Sequence, residues 1–222
     1  EQAEALRKSG LDRVNISLDS LLKERFEQIT RRDALERVLL GIEQASRIFP
    51  GPLKINAVLM RGLNDGEIPA FAELARENGH IVRFIEYMPL DADESWSRSA
   101  LVTGAEIREQ IDRHLGGNVR LTEDPARDQR APATDYVFSD GAPGKIGFIN
   151  SVSEPFCENC NRIRITADGK LRTCLFSQEE TDLASLLRGG ASDEKIAEAV
   201  RTAVHDKEPG HRINEPDFVR AN

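Results

Sequence analysis

The chain has 222 residues, a formal net charge of −8 and an isoelectric point near 5.2. That acidity argues against a general nucleic-acid or membrane-surface binder and confines any anion site to a local cluster of basic side chains. With 39% hydrophobic residues the chain can build the core of one large or two modest domains. No apolar run is long enough to cross a membrane and no signal peptide is visible, so a cytoplasmic protein is expected.

Residues Glu1 to Gly10 read as the last turns of a helix closed by a glycine, with Ala3, Leu6 and Leu11 apolar, so the chain is expected to be a piece of a longer protein. From Leu11 to about Phe84, short β-rich runs alternate with amphipathic helices, the pattern of βα units that build a parallel sheet. Strands are expected at Arg13 to Asp19, Leu53 to Met60 and Ile81 to Met88. Helices are expected at Leu22 to Ile29, at Asp33 to Ile48 with Asp33 as cap, at Ile68 to Asn78 ending at Gly79, and at Gly104 to Leu115. Beyond Gly117 the pattern changes to short antiparallel strands: Asn118 to Glu123, a charged loop through Arg130, Asp135 to Phe138 and Lys145 to Ser151. A hairpin follows, from Arg162 to Thr166 and Lys170 to Cys174, with Asp168-Gly169 expected as a two-residue turn. Two helices, near Thr181 to Leu187 and Ser192 to His205, precede an irregular tail from Lys207 to Asn222.

A parallel sheet covered by helices buries both faces, so polar strand residues need a reason. Period-2 alternation puts Asn15, Ser17 and Asp19 on one face of the first strand and Lys54 with Asn56 on one face of the second. Arg83 and Glu86 fall on opposite faces of the third. In a barrel-type sheet such faces line the interior, with ligands collecting at the C-terminal strand ends. The structural alternative is that Asn15 and Ser17 satisfy local backbone groups, and that Lys54 or Arg83 pairs with Asp19 or Glu86. His80, His114 and Trp96 are expected to cap, pack or lie on the surface.

Cys157, Cys160 and Cys174 are the only cysteines, spaced C-x2-C-x13-C. Three thiols cannot all pair as disulfides, and a C-x2-C knuckle suits soft metals in a reducing compartment. A structural zinc closes its shell with four protein ligands, whereas a cubane held by three cysteines keeps one iron open. Spacing alone leaves zinc completed by His205 or His211, an iron–sulfur cluster, and inert thiols all open. Beside the cysteines, Arg162 and Arg164 are expected to alternate on one strand, a pair suited to phosphate oxygens.

Together, Asn15-Ile-Ser-Leu-Asp19, Lys54-Ile-Asn56, Arg83-Phe-Ile-Glu-Tyr-Met88 and Phe156-Cys-x2-Cys-Asn-Arg-Ile-Arg164 with Cys174 resemble the GTP 3′,8-cyclases. These are the radical S-adenosylmethionine lyases that begin molybdenum cofactor biosynthesis, and the likeness runs from about Gly10 to Phe176. The resemblance implies an α/β fold, with the C-terminal half of an incomplete (β/α)6 barrel over residues 1–117, contributing its last three βα units. A small α+β domain over residues 118–222 would carry an auxiliary 4Fe-4S cluster. It implies that Cys157, Cys160 and Cys174 hold that cluster, whose open iron meets guanine. Ser17 and Met88 would contact S-adenosylmethionine, Lys54 would contact GTP, and Arg162, Ile163 and Arg164 would hold its phosphates.

The family's reaction starts when a first cluster cleaves S-adenosylmethionine. The deoxyadenosyl radical takes hydrogen from C3′ of GTP, and attack on C8 gives 3′,8-cyclo-7,8-dihydro-GTP. The chain has no C-x3-C-x2-C motif for a second 4Fe-4S cluster, the one that generates the radical, and it ends at Val219-Arg-Ala-Asn222 without the family's glycine pair. On this reading the fragment is inactive, its first strand is an unpaired edge, and activity belongs to the full-length protein. GTP, S-adenosylmethionine and an unidentified electron donor are the implied partners, a homodimer stays open, and neither nucleic acid nor membrane is expected. Two other readings remain: a zinc-stabilised, non-catalytic anion-binding module, and a radical enzyme with another substrate.

Overall fold

In the computed structural model, which describes residues 2–90, 95–128, 131–215 and 218, contacts gather the chain into two units. The first comprises Glu1–Met88 with Trp96–Glu154, and the second Pro89–Ser95 with Pro155–Asn222. The expected end of the charged loop at Arg130, Glu1, and the final Val219 to Asn222 lie outside the described residues.

The first unit is a mixed α/β structure. Its elements are α1 (Gln2–Lys8), β1 (Asn15–Ser17), α2 (Lys23–Thr30), α3 (Leu35–Ile48), β2 (Lys54–Leu59), α4 (Ile68–Asn78), β3 (Ile81–Glu86), α5 (Gly104–His114), β4 (Leu121–Glu123), β5 (Thr134–Phe138) and β6 (Lys145–Ile149). The six strands form one sheet in the order β1-β2-β3-β6-β5-β4. Neighbours from β1 to β6 are parallel, and β5 and β4 continue the sheet antiparallel. Residues 121–149, expected in the second domain, therefore extend the first unit's sheet, because β6 pairs directly with β3.

Alternation decides which sheet face the helices cover. Ile55, Ala57 and Leu59 on β2 are fully buried, while Lys54, Asn56 and Val58 between them are only half-buried. The apolar face continues through Val82, Phe84, Ile146 and Phe148. It packs in one cluster with Leu35, Ile42 and Ala45 of α3, Phe71, Ala72 and Ala75 of α4, and Ile107 and Ile111 of α5. Phe84 lies at the middle of this layer, edge-on to Phe71 at 6.0 Å and stacked on Phe148 at 6.3 Å. Burial of side chains of this size is worth about 1.5–3 kcal/mol each, which makes this face the main stabilising layer of the unit.

Helix ends follow local chemistry. α4 stops where Gly79 turns left-handed at φ 66°, as expected. α5 starts with a capping box in which Thr103 and Glu106 exchange side-chain to backbone hydrogen bonds. Asp33 is not the cap of α3: that helix starts after Ala34 without a side-chain bond, and the Asp33 carboxylate instead meets the Lys23 ammonium at 3.2 Å.

The second unit holds a three-stranded sheet, β7 (Arg164–Ile165), β8 (Lys170–Arg172) and β9 (Thr181–Asp182), followed by α6 (Leu183–Arg188) and α7 (Asp193–His205). Thr181 thus starts a short strand, and α6 begins two residues later, with Asp182 accepting from the Ser185 N–H as its cap. The expected two-residue turn is a three-residue loop, Ala167 to Gly169, because Ile165 pairs with Leu171 and only Gly169 takes positive φ, at 84°. A two-residue type I′ turn would need positive φ at both positions, whereas a type I turn closed by one left-handed glycine needs it once.

Candidate functional site

On the sheet, register turns scattered polar residues into a lateral row. Ser17 is level with Asn56, Asn56 with Arg83, Arg83 with Gly147, and Gly147 with Asp135; Lys54 lies beside Asn15 on the same face. The anticipated shared face of Asn15, Ser17, Lys54 and Asn56 is therefore present, and Arg83 joins it. Glu86 lies on the opposite face, fully buried, accepting from the Val152 and Ser153 N–H groups at 2.7 and 2.8 Å. Asp19 accepts from the Val58 N–H at 2.8 Å, and burial pushes its carboxyl up against that bond.

Neither Asp19 nor Glu86 is the partner of Arg83. The Arg83 guanidinium pairs with Asp135 at 3.4 Å, two strands away. Gly147 on β6, between them, allows this: a Cβ there would lie 2.6 Å from Asp135 Oδ1 and 2.9 Å from Arg83 Cγ. The pair is half made, since Arg83 Nε, Asp135 Oδ1 and the neighbouring Asn56 Oδ1 are buried without a hydrogen-bond partner. Such unsatisfied groups are uncommon in native interiors and mark places where a polar ligand or a rearrangement completes the bonding. Burial, followed by the Arg83 and Arg13 charges, pulls the Lys54 ammonium down, with Asp135 opposing. The cation on this face is therefore poised to gain from an anion.

Ser17 ends β1, and Met88 follows β3 by two residues, so both stand toward the C-terminal strand ends. Lys54 does not; it opens β2 at the N-terminal strand end, two residues before Asn56 of the row. Trp96 donates to the Tyr87 carbonyl at 2.9 Å, His114 meets Glu73 at 3.0 Å, and buried His80 lies 3.2 Å from Ser46 Oγ, all structural contacts as expected.

In the second unit Cys157 opens a single helical turn, Cys157–Asn159, and Cys160 follows it; Cys174 lies beyond β8. All three thiols are free and half-buried. Burial pushes the Cys160 thiol up. The Arg162 Nε–H bond to its sulfur at 3.4 Å, the Arg162 backbone N–H, and the Arg162 and Lys207 charges outweigh that and bring it from 9.0 to about 7. Cys160 is thus disposed to the thiolate form that metals require. Among the described residues no three histidine, cysteine, aspartate or glutamate side chains converge tightly enough to grip a single ion. A cubane spreads three thiolates over three different irons, and an all-sulfur donor set with one acidified thiol fits such a cluster.

Arg162 is not part of the strand with Arg164, because β7 begins only at Arg164. Its guanidinium instead lies over the Phe156 ring, 5.0 Å from the centroid, on the knuckle itself. Arg164 stands opposite Arg172, which is paired with Glu180. Ile163, between Arg162 and Arg164, is exposed. Asp135, Gly147 and Lys207 are the site residues that sequence reasoning missed. Of these only Asp135 carried a signal, as an acid opening an otherwise apolar strand.

A family model described as Radical SAM superfamily matches residues 1–75, and one described as Molybdenum Cofactor Synthesis C matches residues 80–213. Among curated relatives, one from Paenarthrobacter nicotinovorans named GTP 3′,8-cyclase is 45% identical, covering 97% of this chain and 64% of that protein. Proteins of the same name from Streptomyces coelicolor and Mycolicibacterium smegmatis are 43% and 45% identical, covering 98% and 99% of this chain. The chain spans about six tenths of the length of these relatives, 63% and 60% for the latter two. With a single model matching residues 80–213, more than half of its 222 residues, the chain belongs to the Molybdenum Cofactor Synthesis C family.

Proposed function

We propose that this chain is part of a GTP 3′,8-cyclase, the first enzyme of molybdenum cofactor biosynthesis, and that its second unit carries an auxiliary iron–sulfur cluster beside a phosphate-binding segment. Support comes from curated relatives of that name along nearly the whole chain and from one structural observation: the Arg162 guanidinium donates to the sulfur of Cys160 at 3.4 Å. A residue suited to phosphate thereby adjoins a residue suited to iron.

In this reading Cys157, Cys160 and Cys174 hold a 4Fe-4S cluster, and Arg162, Ile163 and Arg164 hold the triphosphate. On the sheet, Ser17 and Met88 contact S-adenosylmethionine and Lys54 contacts GTP, with the sheet as part of a (β/α)6 barrel. When bound, S-adenosylmethionine and the first cluster would supply the radical that abstracts hydrogen from the sugar, and the auxiliary cluster would hold guanine. The chain's own residues bind, orient and exclude water. Lys54, whose ammonium is held down first by burial and then by the Arg83 and Arg13 charges, gains when an acceptor group of GTP approaches. Arg162, already ordered over Phe156, needs little reorganisation to meet an anion.

The test is nucleotide selectivity at the reconstituted cluster of the full-length protein. GTP should alter the electron paramagnetic resonance signal of the reduced cluster, while ATP and unrelated peptides leave it unchanged. A signal indifferent to GTP, or perturbed equally by any nucleotide, removes this reading.

A further inference from the structure

The segment after α7 closes on the cysteine knuckle. Lys207, two residues beyond the end of that helix, sends its ammonium to the Cys160 carbonyl at 2.7 Å and to the Arg162 carbonyl at 3.2 Å. Three residues later Gly210 comes against the other end of the same helical turn. A Cβ there would lie 3.7 Å from Cys157 Cβ and 3.9 Å from its sulfur. One short stretch therefore touches both thiol-bearing residues of the C-x2-C pair.

Two carbonyls of residues 160 and 162 facing a single ammonium fix the backbone between the second thiolate and the first arginine. The Cys160 sulfur and the Arg162 guanidinium, themselves joined at 3.4 Å, leave the chain from that stapled segment. Charge-assisted bonds of this kind are shorter and stronger than bonds between neutral groups. A lysine next to a helix C-terminus is also favoured by the helix dipole, which gives the ammonium a fixed seat.

We infer that Lys207 is a positioning residue for the iron–sulfur centre, holding the Cys160 ligand and Arg162 in one arrangement and placing a positive charge beside the cluster. This rests on the cluster and GTP reading above. Two effects follow from the geometry. Removing the staple loosens Arg162 and weakens GTP binding, on the scale of about tenfold or more seen when groups supporting metal ligands are lost. Removing the charge makes the cluster harder to reduce, because nearby positive charge and hydrogen bonds set its potential.

Lys207→Met and Lys207→Arg, made in the full-length protein and reconstituted anaerobically, separate these effects from simple folding. Lys207→Met should take up iron and sulfide as the parent does, show a more negative midpoint potential, and bind GTP about tenfold more weakly or worse. Lys207→Arg, which keeps charge and donors, should restore both. A Lys207→Met protein with the parent's potential and GTP affinity overturns the inference, as does an arginine variant that restores neither. Should the methionine variant hold no iron, amide exchange of residues 160–164 in the metal-free protein decides. Faster exchange there, with α7 unchanged, supports the staple, and unchanged exchange overturns it. A parent protein that takes up no iron, or ignores GTP, sinks the functional reading instead, while the exchange arm still reports on Lys207.

Discussion

Arg164 and Arg172 face each other across β7 and β8, an arrangement that would repel were Arg172 not paired with Glu180. Among the described residues no carboxylate pairs with Arg164, which leaves its charge for a ligand. Arg164→Ala should weaken GTP binding in the full-length protein by about ten- to a hundredfold, the worth of one charge-assisted bond. Iron content should stay unchanged, since the residue is not a cluster ligand; calorimetric titration and iron analysis read the two quantities, and unchanged affinity contradicts the phosphate assignment. His80 makes a different prediction. Burial holds its pKa below the ordinary 6.5, so the native state takes up a proton less readily than the unfolded chain. Stability is then full above pH 6.5 and falls as the pH drops through 6.5 toward the depressed native value, by up to ~1.4 kcal/mol per unit. His80→Gln should flatten the melting temperature against pH between about pH 7 and 5. A profile as steep as the parent's would show that another group governs acid sensitivity.

At the scale of elements, β3, β6 and β5 work together because Gly147 has no side chain. Gly147→Ala would drive a Cβ to 2.6 Å from Asp135 Oδ1, and overpacking of this kind costs about 1–3 kcal/mol. Denaturant melts should show that loss, and double substitution with Asp135→Ala should recover part of it by relieving the clash. Equal losses in the single and double variants would mean that the Arg83 side chain, 2.9 Å from the same Cβ, rather than Asp135, resists the change. This row also shows how far the sequence could be read. Period 2 placed Asn15, Ser17, Lys54 and Asn56 on one face, because alternation is a local property of each strand. The Arg83 partner was not legible, since it depends on β6 inserting beside β3 and carrying β5 with it, a matter of strand order rather than of local pattern. Lys207 escaped for the same reason: it meets Cys160 from 47 positions away. The hairpin turn was misjudged by one residue because Asp-Gly signals a tight turn but does not say how many residues take positive φ.

For the whole molecule, the two units divide the chemistry. The first supplies a sheet whose helix-covered face is apolar and whose other face is a polar row with incompletely bonded Arg83, Asp135 and Asn56. The second supplies three free thiols, with Arg162 and Lys207 at Cys160. The central claim is that those thiols serve an iron–sulfur cluster rather than zinc, and metal analysis after anaerobic reconstitution tests it most directly. About four iron and four acid-labile sulfide per chain, without zinc, is the expected result. Stoichiometric zinc with no iron or sulfide would contradict it.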